Sequence, residues 1–290
     1  MPDTRARGLD HLVIGLADLD AAAAFYEKLG FRVGARNRHP WGTENRIVQF
    51  PGAFLELITV GDATLIPPHG PRHFSFGAFV RDALAQGEGL SMLVLESRDS
   101  TGDAESFRSA GIGDFEPFFF ERQARRPDGS EVRVAFSLAF ADNPAAPDCG
   151  FFVCQQHEPQ NFWNPAFQQH DNGTSALSAV FLVTPEPAAQ AAFLSAFSSA
   201  ESFATPEAGL RLPLPRGRLE VLTPAAAAAM LGAESLPDRA GFAGFAVTVP
   251  ELEPIRSRLT ECGVAYDGDG ARIVVPAQAA FGCAIVFEMG

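Results

Sequence analysis

Residues 9–30 read LDHLVIGLADLDAAAAFYEKLG. The first eight, LDHLVIGL, mix β-branched and aliphatic side chains as a strand does. From Asp18 the run DLDAAAAFYEKL has an acidic cap, a block of alanines and a closing Gly30, as a helix does. After Gly30, FRVGAR, NRIVQF at 45–50 and AFLELITV at 53–60 are three short strand candidates separated by turn residues. The spacing predicts a β-α-β-β-β unit of about 50 residues.

The same order recurs three times. Residues 90–157 offer LSMLVLES, the helix-like DAESFRSAGI, then FEPFFFER, EVRVAFSLAF and FFVCQQH. From 177 come LSAVFLV, the alanine-rich PAAQAAFLSAF, GLRLPL and RLEVLTP. From 242 come FAGFAVTV, ELEPIRSRLTECG, VAYDG, ARIVVP and CAIVFEMG. A helical excursion lies around 76–87. Four copies predict a duplicated α+β architecture: a module pair over 1–160, a linker at 161–174, NFWNPAFQQHDNGT, and a second, degenerate pair over 175–290. Aligning the copies sets Glu56 against Glu220 and Glu288, with Gln155, Gln156 or His157 in the second. It sets His11 against Ser91, Ala179 and Gly244. Only the first copy keeps both a histidine and a carboxylate.

Bulk properties narrow the function. A 290-residue chain that is 47% hydrophobic can bury a large core, and its net charge of −13 opposes nucleic acid and anionic membrane surfaces. No apolar run approaches the roughly 20 residues of a membrane span, and MPDTRARGLD lacks the apolar core of a secretory signal. These features predict a cytoplasmic protein with a small-molecule ligand, as a monomer or a homodimer. Cys149, Cys154, Cys262 and Cys283 show no C-x-x-C spacing, so buried free thiols are expected. The 26 phenylalanines against two tyrosines suit curved sheets around an apolar space, and a dense core would use them too.

Two segments concentrate polar and aromatic chemistry. HPWGTENR at 39–46 holds His39, Trp41, Thr43 and Asn45; the stretch from 151 to 174 holds His157, Trp163, His170 and Asn172. Each has two readings. One is a rigid loop or a clamp between the halves. The other is a cavity lip, with tryptophan as a planar wall and the polar residues as ligand-binding groups.

The strand and helix LDHLVIGLADLDAAAAFYEKLGF, followed by FLELI, resembles the vicinal oxygen chelate superfamily, which includes glyoxalase I, bleomycin-resistance proteins and extradiol dioxygenases. HPWGTENRIVQF and FFVCQQHEP…W…HDNG are similar to a glyoxalase-like subgroup. The resemblance implies paired βαβββ modules whose curved mixed sheets enclose cavities. It implies one divalent metal ion (Fe, Mn, Zn or Ni), no nucleotide cofactor, and His11, Glu56 and His157 as ligands, with His11 and Glu56 catalytic. Ser91, where another ligand is expected, is a poor one. The implied activity is metal-assisted lyase, isomerase or ring-cleavage chemistry on a small oxygenated molecule. The alternative is a non-catalytic sequestering protein of the bleomycin-resistance type, for which the −13 charge favours a cationic ligand. The competing reading of His11 and Glu56 is an ordinary strand-start pair and an inward carboxylate holding an arginine or a polar substrate group.

Overall fold

A computed structural model describes residues 5–125, 129–205, 209–232 and 239–290. In the N-terminal half, β1 (Leu9–Gly15) leads into α1 (Leu19–Lys28), then β2 (Asn37–Arg38), β3 (Thr43–Phe50) and β4 (Ala53–Val60). The excursion is α2 (Phe76–Gln86), after which β5 (Gly89–Glu96), α3 (Ser100–Ala110), β6 (Phe118–Arg125), β7 (Glu131–Ala141) and β8 (Gly150–Gln156) repeat the unit. A single turn of helix, α4 (Pro159–Phe162), follows. The C-terminal half comprises β9 (Ala176–Val183), α5 (Ala191–Ser198), β10 (Phe203–Thr205), β11 (Gly209–Pro213), β12 (Arg218–Leu222) and α6 (Pro224–Leu231). It closes with β13 (Gly241–Val249), α7 (Glu253–Glu261), β14 (Asp267–Gly268), β15 (Arg272–Val275) and β16 (Ala284–Met289).

Among the described residues the strands form two curved mixed sheets of eight, ordered β2-β3-β4-β1-β5-β8-β7-β6 and β10-β11-β12-β9-β13-β16-β15-β14. Each sheet is two βαβββ modules joined through an antiparallel pair of first strands, β1 with β5 and β9 with β13. The helix after β1 starts where the sequence says it should. The Asp18 carboxylate accepts from the Asp20 and Ala21 amides, each at 3.0 Å, satisfying two of the free N–H groups of the first turn.

β1 is buried along its whole length because both faces of the sheet are covered. Leu12, Ile14, Leu55 and Leu57 point to a core that also contains helix residues Tyr26, Phe107, Phe197 and Leu259 and extends across both halves. Val13, Ile58, Met92, Val94, Phe136 and Phe152 belong to a separate cluster on the concave face of the first sheet. A third cluster, containing Ala179, Phe181 and Val286, lies on the concave face of the second, where α6 contributes Ala227 and Leu231. Helices α1, α3, α5 and α7 therefore sit between the sheets, while α2 and α6 pack on the concave sides of the first and second sheet. Among the described residues no helix is long and apolar enough to cross a membrane.

The register corrects the alignment of the copies. Around β1 and β5 the antiparallel pairing of His11 with Val94 and Val13 with Met92 makes Met92 the counterpart of His11. Glu56 stands beside Val13, so its counterpart, beside Val94, is Phe152. Ser91 is one residue out of step; it donates to the Val13 carbonyl at 3.3 Å instead. In the second sheet Glu220 beside Phe181 does match Glu56, and Ala179 matches His11. The fourth counterpart is Val286, beside Ala246; Glu288 lies two residues further along. Three of the four thiols are buried as expected, and Cys262 is exposed.

Candidate functional site

Period-2 alternation explains why two polar residues enter an apolar strand pair. On β1, His11 shares a face with Val13; on β4, Glu56 lies between Phe54 and Ile58 on the same side. Both side chains line a cavity on the concave face, with Trp41, Phe120, Phe136, Phe152 and Phe162 among its walls. The empty space, counting the part open to solvent, is about 540 Å³.

Asp10 orients His11. Its Oδ1 lies 2.6 Å from His11 Nδ1, and its Oδ2 accepts from Gln156 Nε2 at 3.1 Å. A carboxylate only accepts, so Nδ1 carries the hydrogen and, in the neutral ring, the Nε2 lone pair is left for the cavity. The imidazole is stacked on Phe54, ring centres 4.2 Å apart. Glu56 Oε2 stands 3.9 Å from His11 Nε2. The other oxygen, Oε1, accepts from Asn45 Nδ2 at 2.5 Å. His11 and Glu56 are each under one-tenth exposed.

The loop between β2 and β3 brings in the next layer. His39 Nδ1 meets the Thr43 hydroxyl at 2.8 Å, Nε2 has a long 3.4 Å contact with Asn45 Nδ2, and the ring stacks on Trp41 at 4.6 Å. Burial holds the His39 ring below the usual imidazole range; the Glu56 carboxylate opposes this and the Arg122 guanidinium adds to it. His39, Trp41 and Asn45 line the cavity, and Thr43 is buried behind His39.

The second segment divides. Phe162 reaches the cavity, and Trp163 packs on Phe54 and Phe162 while lining a second cleft beyond. Gln49 on β3 ties this wall down, donating to the Phe162 carbonyl at 2.9 Å and accepting from the Asn164 amide at 3.2 Å. His170 and Asn172 act elsewhere, as a clamp. His170 accepts from the Arg32 amide and contacts the Gln49 carbonyl, and Asn172 donates to the Leu29 carbonyl, all at 2.9–3.0 Å. His157 is outside the cavity lining; its Nε2 pairs with the Ser137 hydroxyl at 2.8 Å and its ring packs on Phe119. Along β8 Phe152 and Cys154 face the cavity, so His157, an odd number of residues further on, is turned to the opposite face although its amide still bonds to the Ala135 carbonyl of β7.

For a resident divalent ion the donor set falls short. His11 and Glu56 would supply two ligands, but their second-module counterparts are Met92 and Phe152, and His157 does not join them. Cys154 also lines the cavity, and burial, reinforced by Asp10 and Glu56, pushes its thiol far above the usual range. Among the described residues no group of three His, Cys, Asp or Glu side chains is arranged to hold a metal ion. The residues do not fit the expected metal centre.

The C-terminal half pairs both Glu220, the equivalent of Glu56, and Glu288 with arginine. Glu220 Oε1 accepts from Arg211 and Arg218, each at 2.9 Å, and Glu288 accepts from Arg218 and Ser178. The inward-carboxylate-on-arginine reading thus describes this half.

A glyoxalase-like domain matches residues 9–197, spanning the first module pair and the start of the third module. The chain belongs to the glyoxalase-like domain family. With its fold this places it in the vicinal oxygen chelate superfamily. Among solved structures, a hypothetical protein from Staphylococcus aureus is similar over 98% of this chain and 100% of its own, with a TM-score of 0.68 at 11% identity. A mutant of 4-hydroxymandelate synthase from Streptomyces coelicolor matches over 100% and 94%, with 0.56 at 12% identity. A xylose isomerase-like TIM barrel/4-hydroxyphenylpyruvate dioxygenase fusion protein matches over 100% of this chain and 50% of its own, with 0.53 at 14% identity. Such low identities show a shared fold alone. No curated protein sequence matches the chain.

Arg122 and Gln49 escaped the sequence reading. In FEPFFFER the arginine reads as the polar end of a strand; the available signal was its spacing of two and four from Phe120 and Phe118, which sets all three on one face.

Proposed function

We propose that the N-terminal cavity binds a small oxygenated organic molecule and performs general acid–base chemistry on it, of the isomerase or lyase class. The observation that carries this reading is the Asp10–His11–Glu56 arrangement: an imidazole oriented through Nδ1, with Nε2 and a carboxylate oxygen 3.9 Å apart in an aromatic-walled space. His11 Nε2 accepts a proton from a carbon next to a carbonyl, and the same proton, or one relayed by Glu56, returns to the ligand. Asn45 holds Glu56 in place, and the phenylalanine walls limit water. No step passes through a metal ion, because two donors do not make a centre.

Deuterium wash-in tests it. With the purified protein in deuterium oxide, a panel of small carbonyl compounds is followed by proton NMR. At least one compound exchanges its α-hydrogen, and His11→Gln slows that exchange by about 10² to 10⁴-fold. Added chelator leaves the rate unchanged. Exchange that survives His11→Gln, or none across the panel, defeats the catalytic reading. The density of aromatic side chains around the space favours a second reading, sequestration without turnover. Saturable binding without exchange selects it.

A further inference from the structure

Arg122 has no visible role in the fold. On β6 it shares a face with Phe118 and Phe120, which pack on the concave cluster, and it lines the cavity beside them. Among the described residues its guanidinium makes no hydrogen bond and no ion pair. Burial holds it below the usual arginine range, while the Glu56 carboxylate works in the opposite direction. Arg122 itself is half-buried, and a second donor beside it, the indole N–H of Trp41, another lining residue, is fully buried without a partner. Withdrawing polar groups from water is costly unless something pairs with them. Among the described residues the buried Trp41 N–H has no such partner, and the half-buried Arg122 guanidinium has none within hydrogen-bonding distance.

Arg122 also stands at a boundary. Together with Ile47 and Phe162 it lines both the inner cavity and the outer cleft near Trp163. A ligand whose anionic group meets Arg122 would thus point its other end inward, toward His11 and Glu56. The guanidinium fork suits carboxylate and phosphate alike. Glu56 already adds negative charge to this space, and a singly charged carboxylate is repelled by it less than a phosphate dianion. The walls, Trp41, Phe120, Phe136 and Phe162, are aromatic.

We propose that the cavity selects small aromatic or planar monocarboxylates, with the carboxylate held by Arg122 at the mouth and the apolar body inside. This rests on the reading of the cavity as the ligand site and names its ligand class. It departs from the expectation of a cationic ligand from the net charge of −13, because the cavity lining carries Arg122, whose guanidinium is in no ion pair, and Glu56 is already held by Asn45.

The test uses matched pairs, benzoate with benzamide and phenylacetate with phenylacetamide, titrated by tryptophan fluorescence and calorimetry against the full chain. In the wild type at least one acid should bind about tenfold or more tighter than its amide, and in Arg122→Leu that preference should fall below about twofold with amide binding retained. Arg122→Lys should keep part of it. The Arg122→Leu protein should melt no lower than the wild type, since no ion pair is lost. The proposal is overturned if acid and amide bind alike, if no acid binds, or if the preference survives in Arg122→Leu. It is equally overturned if that variant melts lower and loses acid and amide binding together, which would mark Arg122 as a structural counter-charge to Glu56. Binding is read without turnover, so His11-dependent exchange alongside equal acid and amide affinities rejects the ligand class alone, and carboxylate preference without exchange rejects only the acid–base chemistry.

Discussion

His39 and His170 are both buried, and both are held below the ordinary imidazole value of 6.5, in each case chiefly by burial. A histidine whose folded-state pKa is depressed takes up its proton more readily in the unfolded chain. Its contribution to stability is therefore complete above 6.5 and is lost as pH falls through that value toward the folded-state pKa. Urea melts should show stability declining as pH is lowered from about 7 to about 5, and His170→Gln should flatten that decline. A decline of equal slope in His170→Gln would assign it to other groups. The same scale shows what could be read from sequence. His11 and Glu56 stood out because, of the four copies, only the first keeps both a histidine in its first strand and a carboxylate in its last. Arg122 did not, because a charged residue near a strand end is ordinary until its face is known. His157 looked like a ligand only because the copies were aligned by similarity instead of by strand register.

The loop between β2 and β3 shows how an element places chemistry. Gly42 has φ near +86°, and its carbonyl accepts from the Gly61 and Asp62 amides at 2.9 Å, tying the loop to the end of β4. A Cβ at this position would come within 2.3 Å of the Asp62 carbonyl oxygen. Gly42→Ala should therefore cost about 1–3 kcal/mol or more and weaken binding of any cavity ligand, because His39 and Trp41 shift with the loop. Chemical denaturation and a titration on the same variant measure both effects. A normal affinity in a destabilised variant would show that Trp41 is placed by its contacts with Phe118 and Phe120, not by the turn. The segment HPWGTENR announced the turn and the wall together. What it could not announce was that Thr43 serves His39 and Asn45 serves Glu56, since those pairings depend on how β2 pairs with β3 and β3 with β4.

At the scale of the whole molecule the two sheets are joined by more than a linker. Their shared core runs through Phe197, which lies 5.6 Å from Phe151 and 5.8 Å from Phe107, ring centre to ring centre. The Phe197 carbonyl accepts from Arg7, whose guanidinium is paired with buried Asp103 at 2.6 Å. Arg216 from the second half donates to the Leu9 carbonyl and to Glu96 in the first. The repeat was legible in sequence, but this sharing was not, because the apolar outer faces of the modules carry no mark of which helix covers them. Phe197→Ala should cost about 3–5 kcal/mol, and the loss should be felt in both halves. Both tryptophans, Trp41 and Trp163, lie in the N-terminal half or the segment after it, whereas Phe197 is in the C-terminal half. Tryptophan fluorescence therefore reports on a region distant in sequence from the substitution, and far-UV circular dichroism reports on all of it. If the halves unfold as one unit, the two signals shift together to lower denaturant and still coincide. If the fluorescence midpoint stays where it was while the dichroism splits into two phases, the halves are independently stable and the shared core does not couple them.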